Sequence, residues 1–183
     1  MMNYEQIWLT GFMATGKTRT ARPLAVALDW VAVDIDDLIE EQTGDQPSAI
    51  FARGGESAFR TIEAEVVERV AGMHNVVVAT GGGSVLSEAN RAAMRRTGFI
   101  VCFDARPETI AARLQDSTRH ISERPLLGDG NPAARIVELK AERDPVYAQA
   151  DFIIQTDDLT PDQVTHQVLL AFRERSAVAG GAP

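Results

Sequence analysis

An α/β domain on a parallel sheet is the fold class that the sequence predicts, and three observations predict it. Short β-rich runs alternate with longer stretches of helical periodicity along the 183 residues, the pattern left when helices connect the strands of one sheet. Residues 75–79 carry an apolar run of the type buried inside a parallel sheet. A glycine-rich segment, Gly11-Phe-Met-Ala-Thr-Gly16-Lys17-Thr18, stands between the first strand-like run and the first helical one.

In order along the chain, residues 6–10 form the first strand, and residues 18–28 a helix with Ala21, Leu24, Ala25 and Leu28 on one stripe. Residues 30–34 are a short second strand. A helix over 37–41 runs out at Thr43-Gly44, and Pro47 opens another that ends near Gly54-Gly55. Residues 56–71 are a stronger helix. The strand at 75–79 runs straight into Gly81, Gly82 and Gly83, where the backbone is free to bend. A helix over 87–96, a strand over 99–103 and a helix over 107–114 with Pro at its first turn follow. Residues 115–131 are polar, charged and without periodicity, and read as a mobile loop. Residues 132–147 are helical up to the interruption at Pro145, 152–155 the last strand and 161–173 the last helix. No repeat or linker divides the chain, so residues 1–176 are expected to be one domain, with 177–183 a disordered tail.

The net charge of -8 argues against nucleic acid or an anionic membrane surface as a partner. An anionic ligand must then be held by locally placed cations. Of the 18 basic residues only Lys17 and Lys140 are lysines, and Lys17 falls inside the glycine-rich segment. The single cysteine, Cys102, cannot form an intrachain disulfide, and no run is long enough to span a membrane. A cytoplasmic protein, a monomer without membrane or nucleic-acid partners, is the expectation. His74, His120 and His166 lack metal-ligand spacing.

Residues 11–18 match G-x-x-x-x-G-K-[ST] in its confirming context of strand before and helix after. The glycines let backbone N–H groups turn inward around phosphate, and the helix that follows aims its positive end at the anion. Gly11, Ala14, Thr15 and Gly16 thus form an ATP cradle. Lys17 would bridge the β- and γ-phosphates and act in transfer, while Thr18 would ligate Mg²⁺.

Asp34 and Asp36 end the second strand two residues apart, where extended geometry would send both carboxylates to one side. One beside Mg²⁺ and one taking a proton from an attacking hydroxyl would equip phosphoryl transfer to an alcohol. The same pair could simply cap a helix, a role that suits Asp37 better. Arg60 and Glu63, at i and i+3, read either as a surface ion pair or as an oriented guanidinium for a substrate carboxylate. Arg143 is a second cation of that kind. Gly81 to Gly83 could offer N–H groups to a ligand or be a flexible turn. Arg124, in the loop, could close over the phosphates.

Taken together, GFMATGKT, the DID of Asp34 to Asp36, FRTIE at Phe59 to Glu63, the triple glycine and RPLL at Arg124 to Leu127 resemble shikimate kinase over nearly the whole chain. The resemblance implies a three-layer, nucleoside-monophosphate-kinase-like P-loop fold, with a five-stranded parallel sheet of order 2-3-1-4-5. It implies a substrate-binding segment near 36–63 and a lid near 115–130. The implied reaction is transfer of the γ-phosphoryl of ATP to the 3-hydroxyl of shikimate, a step of aromatic amino acid (chorismate) biosynthesis. By the same resemblance Asp36 is the candidate base and Asp34 belongs to the Mg²⁺ shell, since the strand at 75–79 ends without an acid. Arg60, Arg143, Gly82 and Gly83 would contact shikimate, Glu63 would orient Arg60, and Arg124 would reach ATP from the lid. Phe51 and Phe59 would wall the ring, and either Arg113 or Arg119 would stack on adenine. Two other readings differ in what they require. A related kinase such as gluconate kinase would share the loop without the paired arginines, DID and RPLL, and a non-catalytic nucleotide-binding module would carry a broken catalytic set.

Overall fold

A computed structural model describes residues 4–116 and 131–180 of the chain. Strand β1 (Gln6–Gly11) leads through the glycine-rich loop into α1 (Lys17–Leu28), β2 (Val31–Asp34), α2 (Ile35–Thr43) and α3 (Pro47–Ala71). After β3 (Val76–Ala79) come a single 3₁₀ turn (Ser84–Leu86), α4 (Glu88–Thr97), β4 (Gly98–Asp104) and α5 (Pro107–Gln115). Helix α6 (Pro132–Tyr147), β5 (Phe152–Gln155) and α7 (Pro161–Gly180) complete the described chain. The five strands are all parallel, in the order β2-β3-β1-β4-β5.

Alternation along β1 explains the layers. Ile7 and Leu9 face one side and pack with Leu24, Phe99, Val101, Phe103, Val168 and Phe172, the side covered by α1 and α7. Trp8 faces the other and packs with Ile35, Ile39, Val66, Val70 and Met94. With both faces covered, β1 is buried along its whole length, as a central parallel strand must be. Each large aliphatic side chain buried in this way, Ile7 and Leu9 among them, stabilises the fold by about 1.5–3 kcal/mol relative to its exposed state.

The register places the site. Leu9 pairs with Ala79 and Asp34 also pairs with Ala79, so β1, β2 and β3 end together. The glycine-rich loop, Asp34 and the triple glycine therefore leave the sheet at one edge, beyond the strand carboxyl ends where ligands bind in open parallel sheets.

Several local expectations are revised. Extended geometry does not persist through Asp36, because α2 begins at Ile35 and Asp36 lies in its first turn. Asp34, rather than Asp37, is the helix cap: its Oδ1 accepts from the Asp36 N–H at 3.0 Å, which satisfies a donor that the first turn cannot. The two helices expected either side of Gly54-Gly55 are nearly continuous and break only at Gly55, whose φ of 74° and ψ of -178° are open to glycine alone. Helix α7 runs to Gly180, past residue 173 and into the stretch expected to be a disordered tail, since Ala177, Val178 and Ala179 contain no helix-stopping residue. No described helix is long and apolar enough to cross a membrane.

Candidate active site

The phosphate loop is folded by its own contacts. Gly11 has φ 119°, and a side chain there would lie 2.1 Å from the Phe103 carbonyl oxygen, so β4 passes too close for any residue but glycine. Ala14 (φ 59°) and Gly16 (φ 104°) complete the left-handed turns. The Thr15 hydroxyl donates to the Phe12 carbonyl at 2.8 Å, and Lys17 Nζ donates to the carbonyls of Gly11 and Phe12 at 2.8 and 2.7 Å. Lys17 is buried despite its charge. These contacts satisfy carbonyls of the loop, and a loop whose carbonyls are engaged in this way keeps N–H groups for an anion.

Thr18 Oγ1 donates to Asp34 Oδ2 at 2.9 Å, joining the start of α1 to the end of β2. Burial pushes the Asp34 carboxyl above its ordinary value, against the opposing hydrogen bonds from Thr18 and the Asp36 N–H. A partly desolvated carboxylate beside a hydroxyl is a pair of hard oxygen ligands that a divalent cation would relieve. No group of three or more His, Cys, Asp or Glu side chains that could hold a metal occurs among the described residues. The pair of oxygens fits Mg²⁺, which binds through one or two protein oxygens, substrate phosphates and water.

A cleft of about 580 Å³ opens over the loop, with Lys17, Thr18, Asp34, Asp36, Gly81, Gly82 and Arg113 on its walls. Arg113 donates to Thr156 Oγ1 at 3.0 Å and to the Thr156 carbonyl at 2.5 Å, and reaches the Ala14 carbonyl at 3.4 Å. It is thereby fixed at the rim of the phosphate loop. Arg119, Arg124 and all of the expected lid but residues 115 and 116 lie outside the described residues.

The second half of the site is built around a buried acid. Glu63 is 0% exposed; its Oε2 accepts from Arg60 Nη1 at 2.7 Å and its Oε1 from the Ser84 hydroxyl. Asn90 in turn donates to the Ser84 carbonyl at 2.9 Å. Glu56, on the exposed side, accepts from Arg60 Nη2 and Nε at 3.0 and 3.2 Å. Burial lowers the Arg60 pKa, but the charges and hydrogen bonds of Glu63 and Glu56 outweigh it and the net direction is up.

The triple glycine packs against this cluster. A side chain at Gly83 would lie 2.1 Å from Arg60 Nη2, and one at Gly81 would lie 3.0 Å from Glu63 Oε1 and 3.5 Å from Asp36 Oδ1. Asp36, Glu63, Arg60 and Gly81 to Gly83 thus meet in one wall beside the phosphate loop. Arg143 is buried with its guanidinium 5.5 Å from the centre of the Phe12 ring, and its Nη1 has no hydrogen-bond partner among the described residues. A buried donor left unpaired is costly and suits a site awaiting an anion. Phe51 and Phe59 stack with centroids 4.6 Å apart, and Arg60 lies 5.3 Å from the Phe59 ring centre.

The sequence alone did not single out Ser84, Asn90, Thr156 or Tyr147, whose hydroxyl donates to the Gly82 carbonyl at 2.6 Å. Position after the triple glycine was a signal for Ser84. Thr156 and Tyr147 are 43 and 65 residues from what they touch, and these, like Asn90, carried no signal.

Comparison with known proteins converges on one family. The family model described as shikimate kinase matches residues 13–173. A shikimate kinase from Symbiobacterium thermophilum is 44% identical over 170 residues, covering 92% of this chain and 97% of its own. One from Thermodesulfovibrio yellowstonii is 40% identical over 172 residues, covering 94% and 97%. Among solved structures, shikimate kinase from Acinetobacter baumannii in complex with shikimate superposes with a TM-score of 0.87 at 32% identity, over 94% of this chain and 95% of that one. A sugar kinase from Janibacter, at 13% identity and a TM-score of 0.62, shares the fold alone.

Proposed function

The chain belongs to the shikimate kinase family, and from that premise we propose which of its residues carry the transfer of the γ-phosphoryl of ATP to the 3-hydroxyl of shikimate. The observation that supports the assignment best is the single wall formed by Asp36, Glu63, Arg60 and the triple glycine beside the phosphate loop. ATP lies with its phosphates on the N–H groups of Gly11, Ala14, Thr15 and Gly16, and Lys17 reaches the β- and γ-phosphates. Thr18 and Asp34 would hold Mg²⁺, which would neutralise charge on the phosphate oxygens.

Arg60 and Arg143 grip the shikimate carboxylate, with Glu63 fixing the plane of Arg60. Gly82 and Gly83 allow the ring to approach the backbone, and Phe51 and Phe59 cover its apolar side. Asp36 accepts the proton of the attacking hydroxyl, and Arg124 meets the charge that develops on the transferred group. Arg113, held by Thr156 on the cleft wall, is taken as the residue that meets adenine. Residues 1–176 work as one kinase domain. The protein is read as a monomer, and the one buried cysteine, its thiol pushed up to about 12 by burial, suits a cytoplasmic protein.

The test compares ATP turnover with shikimate, gluconate and nucleoside monophosphates, and shikimate binding to Arg60→Ala. Shikimate alone should stimulate turnover, and Arg60→Ala should weaken shikimate binding while ATP binding persists. Unchanged shikimate affinity in Arg60→Ala would overturn the carboxylate assignment.

A further inference from the structure

The three glycines after β3 present three backbone carbonyls, and each has a partner. Gly81 accepts from the Ser84 N–H at 3.1 Å and Gly83 from the Leu86 N–H at 3.0 Å, both within the local turn. The middle carbonyl is different: Gly82 accepts from the Tyr147 hydroxyl at 2.6 Å, a bond that joins residues 65 apart in the chain. The turn's central peptide is therefore fixed by the end of α6 and not by the turn itself.

In a trans peptide the C=O and the following N–H point in opposite directions. Holding the Gly82 carbonyl therefore sets the direction of the Gly83 N–H. Without side chains, adjacent glycines can rotate the peptide between them at little steric cost. The two glycines also face different ligands. A side chain at Gly82 would lie 3.4 Å from the Gly11 carbonyl oxygen and the Met13 nitrogen of the phosphate loop, and one at Gly83 would meet Arg60 Nη2. A rotation of this peptide would change the wall on the Arg60 side.

Tyr147 is built to hold. Its ring lies in the core with 6% exposure, among Phe12, Val85, Cys102 and Ile110 of the same cluster. Burial raises the phenol pKa, with the Arg143 guanidinium beside it acting in the opposite sense, so the hydroxyl keeps its proton and remains a donor. Arg143 lies one helical turn earlier on the same helix.

We propose that Tyr147 is a positioning residue for the shikimate site: its hydroxyl locks the Gly82–Gly83 peptide so that the Gly83 N–H and Arg60 present one fixed wall to the substrate. This rests on the reading of Arg60 and the triple glycine as the shikimate site. On this reading Tyr147 contacts neither substrate and acts chiefly through the Gly82 carbonyl, with the neighbouring Arg143 guanidinium as its other polar contact. Its loss falls on shikimate and spares ATP.

The test is Tyr147→Phe in the full chain, which keeps the ring and removes the hydroxyl. Loss of one neutral hydrogen bond should raise the shikimate KM about three- to tenfold while the ATP KM changes by less than about twofold. Amide hydrogen exchange provides the second measurement: the Gly83 N–H should exchange faster in Tyr147→Phe, with α6 and the sheet protected as before. An unchanged shikimate KM with unchanged Gly83 exchange, or an equal rise in both KM values, would overturn the proposal. Arg60→Ala separates the two readings. If it weakens shikimate binding and Tyr147→Phe does not, the inference about Tyr147 falls alone; if neither does, the site assignment falls first.

Discussion

Arg60 is held by two glutamates, and their burial predicts opposite effects when each is made neutral. Glu63 is 0% exposed and shares its other oxygen with Ser84, whereas the Glu56 side chain is 50% exposed and bonded to nothing but Arg60 among the described contacts. Glu63 takes Nη1, which leaves the Nε and Nη2 edge as the fork for a bidentate carboxylate, and Glu56 occupies that edge. If Arg60 grips the shikimate carboxylate as proposed, shikimate displaces Glu56 and leaves Glu63 in place. Glu63→Gln removes a charge-assisted hydrogen bond from a buried pair, a loss of about 1.5–3 kcal/mol in the placement of Arg60, so shikimate affinity should fall roughly 10- to 100-fold. Glu56→Gln removes an exposed competitor whose hold is worth about 0.3–1 kcal/mol, so affinity should rise by about two- to fivefold. Calorimetric titration of shikimate into each variant, at low and high salt, measures both. Screening should narrow the gain in Glu56→Gln, because the pair it removes faces solvent. Weaker binding in both variants would show that Glu56 is part of the grip and refute the displacement argument; unchanged affinity in Glu63→Gln would refute the role of the buried acid.

Asp34→Asn tests the buried carboxylate beside Thr18. Burial raises the Asp34 pKa in the folded chain, so its stabilising contribution is complete below the unfolded value and is lost as pH rises through the folded one. Ligand-free Asp34→Asn should therefore melt higher than the parent at neutral pH and show a shallower loss of stability from acid to neutral pH, while its turnover responds less to added Mg²⁺. A lower melting temperature at neutral pH, with the helix cap retained by asparagine, would contradict this. Gly83→Ala would place a methyl 2.1 Å from Arg60 Nη2. The flexible guanidinium must swing away, so shikimate affinity should fall at least about tenfold, by the same charged hydrogen bond, with ATP affinity unchanged. Titration with each ligand checks it, and an equal loss for both would point to a collapsed turn.

The phosphate loop was legible because its signature residues all lie within one eight-residue window, although Phe103 and Arg113 also press on it from elsewhere in the fold. Strand order depends on pairings across the chain, and only the resemblance to a family supplied it. The acidic pair was half legible. Both residues do reach the cleft, but for a reason other than strand alternation: Asp34 ends the strand by capping α2, and Asp36 is carried on the helix. Arg60 and Glu63 illustrate the limit most directly. At i and i+3 they look like any surface ion pair, and nothing local reveals that Glu63 is fully buried. Once buried, Glu63 is met by the hydroxyl of Ser84, 21 residues on, whose carbonyl accepts from Asn90. Contacts that cross the fold decide the chemistry here, and periodicity cannot report them.

The two halves of the site differ in how far they are organised before a ligand arrives. In the phosphate half, Thr15 and Lys17 satisfy the carbonyls of Gly11 and Phe12, and left-handed residues at 11, 14 and 16 fix the curve. Little ordering entropy remains to be lost when ATP binds, which favours affinity without new contacts. In the half proposed for the substrate, Arg60 is held by one buried partner and one exposed one, and Arg143 Nη1 is buried with no hydrogen-bond partner among the described residues. That half releases an ion pair and satisfies an orphan donor only when a carboxylate enters. A ligand of the right shape without the carboxylate would leave both costs standing, so discrimination is expected to rest on the acid group more than on the ring. The 3-dehydroxy and decarboxylated analogues of shikimate separate the two: the first should bind nearly as well as shikimate, and the second should lose about 2–4 kcal/mol, as a site built for a charged partner does when that partner is missing. Comparable losses for the two analogues would place the recognition on the hydroxyls and Asp36 instead.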